Sequence, residues 1–464
     1  MRQVSPVVDL AVIGSGGAAM AAGIAARRAG ATVVLVERGV LGGTCVNVGC
    51  VPSKTLLAAA GARHASLTNP FGGAPTSADG VDLGALVAQK TELVGWLRQH
   101  KYADIADAWG FAVLAGEARF VDMETLTVDG KPLRAHGYVI ATGSEPHTGG
   151  IDGIGAVDYL TSTTAMELTE IPDSLVVIGG GYVGMEQAQL FAHLGARVTL
   201  VGRLAPHAEP ELRAVMARVF ADDGITLIEE HATRVRPTPD GLVTVTTSSG
   251  REATGHRLLV ATGRRPDTTA LDLAAAGVDT DARGFITIDE HQRTTNPKMY
   301  AAGDVAGTPQ YVYVAAAAGR VAAINALGPD TTPAESVDYT GLPAVMFTRP
   351  QLASAGLTEE QALARGHDCA CRVLALDDVP RALVNHDTRG AVKLVADAAN
   401  GKVLGVHAVA DGAGEMMLAA TYAIKAGMTV DDLADTWAPY LTMAESLRLA
   451  AGLFRNELPT SCCA

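Results

Sequence analysis

An internal repeat constrains this chain more than any other feature. Displaced by 165 positions, Val12-Ile13-Gly14-Ser15-Gly16 falls on Val177-Ile178-Gly179-Gly180-Gly181, and Ala29-Gly30-Ala31-Thr32-Val33 falls on Leu194-Gly195-Ala196-Arg197-Val198. Each copy reads as an apolar strand, a glycine turn, an alanine-rich helix, a glycine stop and a second apolar strand, so two βαβ units share one register. Their turns are Gly14-x-Gly16-x-x-Ala19 and Gly179-x-Gly181-x-x-Gly184. The first two glycines allow a tight turn and bring backbone N–H groups close to a pyrophosphate, while the third small residue lets helix and strand pack closely. One such turn arises for purely structural reasons. Two in register, each between a strand and a helix, point to two dinucleotide sites.

The end of the second strand separates the two nucleotides, because an acidic side chain there accepts hydrogen bonds from the adenosine ribose. Glu37 holds that place in the first unit, and Gly202 followed by Arg203 holds it in the second. A carboxylate repels a 2′-phosphate, whereas an arginine without a carboxylate beside it accepts one. The first site therefore suits FAD and the second NADPH. On this reading a glutamate at 202 is expected to move preference toward NADH.

The 464 residues suffice for roughly three domains of ~100–200 residues each. With 36 basic and 50 acidic residues, a net charge of −14 disfavours nonspecific binding to nucleic acid or to an anionic membrane. No run approaches the ~18–20 apolar residues a membrane helix requires, and Val7 to Ile13 runs straight into the glycine turn, so it reads as a strand and not as a signal peptide. A cytoplasmic protein acting on small molecules is expected.

The six cysteines fall in three pairs: Cys45 and Cys50, Cys369 and Cys371, Cys462 and Cys463. A core of this size needs no disulfide staples, which leaves reactive or metal-binding thiols as the sharper reading for some of them. The segment Gly42-Gly43-Thr44-Cys45-Val46-Asn47-Val48-Gly49-Cys50-Val51-Pro52-Ser53-Lys54 resembles the redox disulfide motif of the pyridine nucleotide-disulfide reductase superfamily. Thr295 to Asp304 resembles that superfamily's second FAD signature, and Ala141-Thr142-Gly143 and Ala261-Thr262-Gly263 resemble its crossings between nucleotide domains.

The resemblance implies an α/β fold with two doubly wound dinucleotide-binding domains, for FAD and NADPH, followed by a C-terminal α+β dimerisation domain. FAD would bind across 1–145 and 265–335, NADPH within 146–264, and 336–464 would form the interface of a homodimer. Gly43, Thr44, Thr142, Gly143 and Asp304 would join Gly14, Gly16, Ala19 and Glu37 around FAD. Cys50 would face the flavin and Cys45 would exchange with substrate, since a helix start lowers a thiol pKa. Lys54 and Glu186 would pair where hydride arrives, and Tyr182, inside the second glycine turn, would gate the nicotinamide pocket.

Two departures from the common plan bear on substrate. Reductases of organic disulfides carry His-Pro-Thr-x-x-Glu in the C-terminal domain, where this chain has Pro439-Tyr440-Leu441-Thr442-Met443-Ala444-Glu445. A phenol with a pKa near 10 shuttles protons poorly at neutral pH. The tail ends Leu458-Pro459-Thr460-Ser461-Cys462-Cys463-Ala464, and adjacent terminal thiols suit a soft thiophilic cation. Together with Pro380-Arg381, these features resemble the mercuric reductase family. The resemblance implies NADPH-dependent reduction of Hg(II) to Hg(0), with Hg(II) carried in by cellular thiols such as glutathione and passed from Cys462 and Cys463 of the partner subunit to Cys45 and Cys50. The competing readings are a dihydrolipoyl dehydrogenase-like disulfide reductase, against which Tyr440 argues, and a non-enzymatic thiol metal buffer or redox sensor. Cys369 and Cys371, at an apparent strand start with no partner motif nearby, read as structural. The twelve histidines show no sequence cluster, so a site for a metal such as zinc is not expected among them.

Overall fold

The computed structural model describes residues 7–328 and 334–456. Cys462 and Cys463 lie outside the described residues. The first repeat folds as β1 (Val7–Ile13), α1 (Gly17–Arg28) and β2 (Val33–Glu37). Both strands are apolar nearly throughout because both faces of a parallel sheet are covered. Their sheet runs in the order Ala112–Ala115, β2, β1, Lys131–Ile140, Thr125–Val128, Ala118–Phe120. Strand Met299–Ala301 returns from far along the chain to pair in parallel with Lys131–Ile140.

The second repeat builds its own parallel sheet in the order Thr226–Ile228, Arg197–Val201, Ser174–Ile178, Arg257–Val260. The chain enters and leaves this unit through a short antiparallel pair, Ser144–Pro146 with Arg264–Pro266. Residues 343–410 supply a five-stranded antiparallel sheet, ordered Pro343–Met346, Gln351–Gly356, Val403–Ala410, Ala391–Asp397, Cys369–Ala375. Helix Ala413–Ala426 buries Met416, Met417 and Ala420 in a core shared with Leu394, Val406 and Ala408 of that sheet. Each fully buried aliphatic side chain contributes about 1.5–3 kcal/mol, so this core holds the third layer together. Leu418, Tyr422, Trp437 and Tyr440 remain exposed in the same region, with Trp437 at 98 %. Exposed aromatic surface of this kind marks a protein interface.

Candidate active site

Both glycine turns have the strained backbone their spacing implies. Gly14 sits at φ 113°, and a Cβ there would lie 2.4 Å from the Ala141 carbonyl oxygen. A Cβ on Gly184 would lie 1.7 Å from the Gly179 oxygen. Helix α1 starts at N-cap Gly16 and helix Tyr182–Leu194 at N-cap Gly181, and neither has a side-chain cap. Their first N–H groups are thus left for a ligand oxygen. Within the Gly179–Gly184 motif, Tyr182 is the first residue of the helix.

Around the first turn, a cavity is lined by Ile13, Gly14, Glu37, Arg38, Thr142 and Asp267 among others. The Thr142 hydroxyl is buried without a partner. An orphaned hydroxyl beside an uncapped helix and a strand-end carboxylate fits the adenosine and pyrophosphate of FAD. Glu37 accepts hydrogen bonds from the Ser15 hydroxyl at 2.5 Å and the Gly39 N–H at 2.7 Å.

The redox segment packs directly on this turn. A Cβ on Gly43, at φ 65°, would lie 2.5 Å from the Gly16 Cα, and the Gly42 N–H donates to the Ser15 hydroxyl at 3.0 Å. Cys45 rides on the short helix α2 (Gly43–Asn47), and Cys50 opens the long helix α3 (Cys50–Leu67). The two thiols are unequal. The Cys45 thiol donates a hydrogen bond to Cys50, and with the Lys54 ammonium this lowers the Cys50 pKa to about 7 against the opposing effect of burial. The same hydrogen bond and burial push Cys45 well above the ordinary thiol range.

Lys54, one turn along α3, reaches Glu186 on helix Tyr182–Leu194 at 2.6 Å. Glu186 is 6 % exposed, and its other oxygen accepts the Phe347 N–H at 2.9 Å. Asp304 accepts the Ser144 hydroxyl at 2.9 Å, beside Arg264 at 3.9 Å. Thr44 lies in α2 next to Cys45, and Gly143 immediately precedes Ser144.

Some residues at the site carry no sequence motif. Tyr102 stands close enough to Cys45 and Cys50 for their charges, with burial, to push its phenol pKa up. It sits in a single π turn, Gln99–Ala103, a distortion common at functional sites that only the folded backbone shows. The Tyr311 hydroxyl donates to that of Tyr182 at 3.1 Å, and Tyr311 stacks on Tyr313.

In the C-terminal domain, Tyr440 is 47 % exposed. Glu445 is buried, accepts the Leu441 N–H at 3.2 Å and pairs with Arg448 at 3.2 Å, so it fixes the turn that carries Tyr440.

One expectation needs correction. Gly202 sits at φ 143°, and a Cβ there would lie 3.0 Å from the Gly180 nitrogen, so glycine is demanded by the backbone and a glutamate would strain the turn. Arg203, exposed beside it, remains the informative position for the nucleotide. Further, His64, His193 and Asp223, scattered in sequence, come together with donor atoms within 4.8 Å of one another. The imidazoles stack at 3.7 Å, and His193 meets Asp223 at 3.1 Å. Burial and His193 lower the His64 pKa to about 4, and Arg389 lies 3.8 Å from Asp223. The depressed His64 pKa and the adjacent guanidinium make this a hydrogen-bonded junction between helices.

Two uncapped dinucleotide turns, joined through a thiol pair and the Lys54–Glu186 contact, define a pyridine nucleotide-linked flavoprotein disulfide oxidoreductase. The pyridine nucleotide-disulphide oxidoreductase family matches residues 8–319 and its dimerisation domain matches 342–451, and the chain belongs to that family, in its mercuric reductase branch. It is 52 % identical to the mercuric reductase of Streptomyces lividans over the whole of both chains. It is 49 % identical to that of Lysinibacillus sphaericus, covering 98 % of this chain and 84 % of the relative. Among solved structures, the HOCl-induced flavoprotein disulfide reductase RclA of Escherichia coli superposes with a TM-score of 0.85 at 29 % identity, covering 96 % of this chain and 99 % of that one. The cofactors are FAD and NADPH, and the dimerisation domain makes the protein a homodimer. Among the described residues, no helix is long and apolar enough to cross a membrane.

Proposed function

We propose that the chain reduces Hg(II) to Hg(0) with electrons from NADPH at Cys45 and Cys50, taking the ion from Cys462 and Cys463 of the partner subunit. The observation that carries this reading is the unequal thiol pair, in which Cys50 is lowered to about 7 and Cys45 keeps its proton. Residues 1–145 and 265–335 would hold FAD through Gly14, Gly16, Ala19, Glu37, Gly43, Thr44, Thr142, Gly143 and Asp304. Residues 146–264 would hold NADPH through Gly179, Gly181, Gly184 and Arg203. When bound, FAD would carry two electrons from the nicotinamide first to the thiol pair and, once the pair holds Hg(II), to that ion, which leaves as Hg(0).

The protein's own groups then do the following. The Cys45 hydrogen bond and the Lys54 ammonium keep Cys50 ionised, so the pair offers an incoming Hg(II)–thiolate adduct one ready thiolate. Cys45, the thiol that exchanges with substrate, forms the first S–Hg bond as its proton passes to one departing carrier thiolate. Cys50, already ionised, forms the second as the other carrier thiolate leaves. Hg(II) prefers two thiolates and is never stripped bare along this route. Tyr102 offers a hydroxyl beside the pair, and Tyr440 of the partner subunit occupies the place where disulfide reductases keep a histidine. With glutathione as carrier, the tail thiols would relay the ion from solution to the Cys45–Cys50 pair. Tyr182, held by Tyr311, would cover the nicotinamide side.

The test is NADPH oxidation with and without Hg(II) in excess glutathione, with Hg(0) trapped from the gas phase. Metal-dependent oxidation that is lost in Cys50→Ala, with FAD still bound, is expected. Reduction of lipoamide or oxidised glutathione at comparable rates would overturn the reading in favour of a disulfide reductase.

A further inference from the structure

Cys369 and Cys371 open strand Cys369–Ala375 at the edge of the C-terminal sheet. Two residues apart on a strand, they lie on one face with Cα atoms roughly 6.5–7 Å apart. Leu374, of opposite parity, is buried in the domain core, so the thiols lie on the face away from it. Both are free and half-buried.

Their surroundings are acidic. The Cys371 thiol hydrogen-bonds to the Glu359 carboxylate, and burial and that charge push its pKa up to about 12. Burial, Glu359, Asp368 and Asp397 push Cys369 up as well. Of the cations close by, Lys393 is 1 % exposed and already shared by Glu209 at 2.9 Å, Glu211 at 3.0 Å and Glu359 at 2.8 Å, and the Arg372 guanidinium donates to the Cys371 carbonyl oxygen at 2.9 Å. Burial is the larger cause of both raised values, but the carboxylates that add to it would also favour a dication replacing the thiol protons. The arginine-flanked His64–His193–Asp223 group has the opposite field.

We propose that Cys369 and Cys371, on one face of the strand and with the Glu359 carboxylate beside Cys371, form a second, two-thiolate binding site for a soft dication, Hg(II), distinct from the redox pair. The proposal rests on the reading that this chain meets Hg(II), though not on its turnover. Exchange with an Hg(II)–glutathione adduct forms two protein S–Hg bonds and breaks two glutathione S–Hg bonds. Each cysteine proton goes to a departing glutathione thiolate, and nothing is oxidised or reduced. Once one cysteine has bound, the strand presents the second at an effective concentration of at least the order of millimolar, so the chelate withstands free thiol. No electrons reach this site, which would therefore hold the ion and not reduce it.

The experiment uses FAD-loaded protein with the other four thiols removed (Cys45→Ser, Cys50→Ser, Cys462→Ser, Cys463→Ser), given Hg(II)–glutathione in excess glutathione and then desalted. One Hg per chain, with ultraviolet thiolate-to-mercury absorption, is expected. Adding Cys371→Ser should cut retention at least tenfold, and Glu359→Gln should weaken it. No retained metal, two Hg per chain, or retention unchanged by Cys371→Ser would each overturn the proposal. Should the fourfold variant not fold, Cys369→Ser with Cys371→Ser in the otherwise native chain must lower the bound Hg by one per chain. A native chain that binds here but does not turn over would count against the proposed reaction and leave this site standing.

Discussion

The Lys54 ammonium lies 2.6 Å from the Glu186 carboxylate and joins the helix that begins with Cys50 to the helix that begins the second nucleotide turn. The two charges act on Cys50 in opposite senses, Lys54 lowering its pKa and Glu186 raising it. The ordinary thiol value is 9.0 and Cys50 stands at about 7, so the thiolate is present above about pH 7 and is lost as pH falls through it. Lys54→Met should move the midpoint of Cys50 alkylation by iodoacetamide, measured against pH in the reduced protein, upward by a unit or more. Glu186→Gln should move it slightly downward. Shifts in the same direction would show that the pair orders the helices without tuning the thiol.

Gly184→Ala places a methyl 1.7 Å from the Gly179 carbonyl oxygen, a backbone atom that cannot swing aside. The second turn must open, whereas the first is untouched. Flavin absorbance should remain near one FAD per chain while kcat/KM for NADPH falls at least a hundredfold, about 2.7 kcal/mol. Gly14→Ala should do the reverse and purify without flavin.

Arg203→Ala tests nucleotide choice at a position whose backbone tolerates the change. A charge-assisted hydrogen bond is worth about 1.5–3 kcal/mol. KM for NADPH should rise by roughly ten- to a hundredfold while KM for NADH changes little. An equal rise for both nucleotides would make Arg203 a general surface charge.

Cys462→Ala with Cys463→Ala should cripple turnover of Hg(II)–glutathione and spare Hg(II) bromide, whose small ligands reach Cys45 and Cys50 directly. Mixing this double variant with Cys45→Ala should restore activity through heterodimers that carry one complete site. Undiminished glutathione-adduct rates in the double variant alone would rule out the relay.

Much of this architecture was legible in local sequence, because the determinants are local. A tight turn before a helix demands glycine at fixed offsets, and a strand buried on both faces demands a continuous apolar run, so Gly14, Gly16, Gly179, Gly181 and Gly184 mark their elements without reference to the rest of the chain. The Cys45–Cys50 spacing likewise sets a thiol at the start of α3, where an uncapped helix end already favours a thiolate. Tertiary structure alone decided what depends on distant segments meeting. Tyr102 joins the thiols from a π turn 57 positions after Cys45, and Tyr311 reaches Tyr182 across 129 positions. His64, His193 and Asp223 converge from three helix ends or faces, and Glu359 and Lys393 turn an unremarkable Cys-x-Cys into an acidic dithiol. Gly202, taken in sequence for a missing carboxylate, proved to be a backbone requirement, since only the folded turn reveals its φ of 143°. Side-chain chemistry is written residue by residue, but electrostatic fields and steric limits sum over neighbours in space, and those neighbours are chosen by the fold.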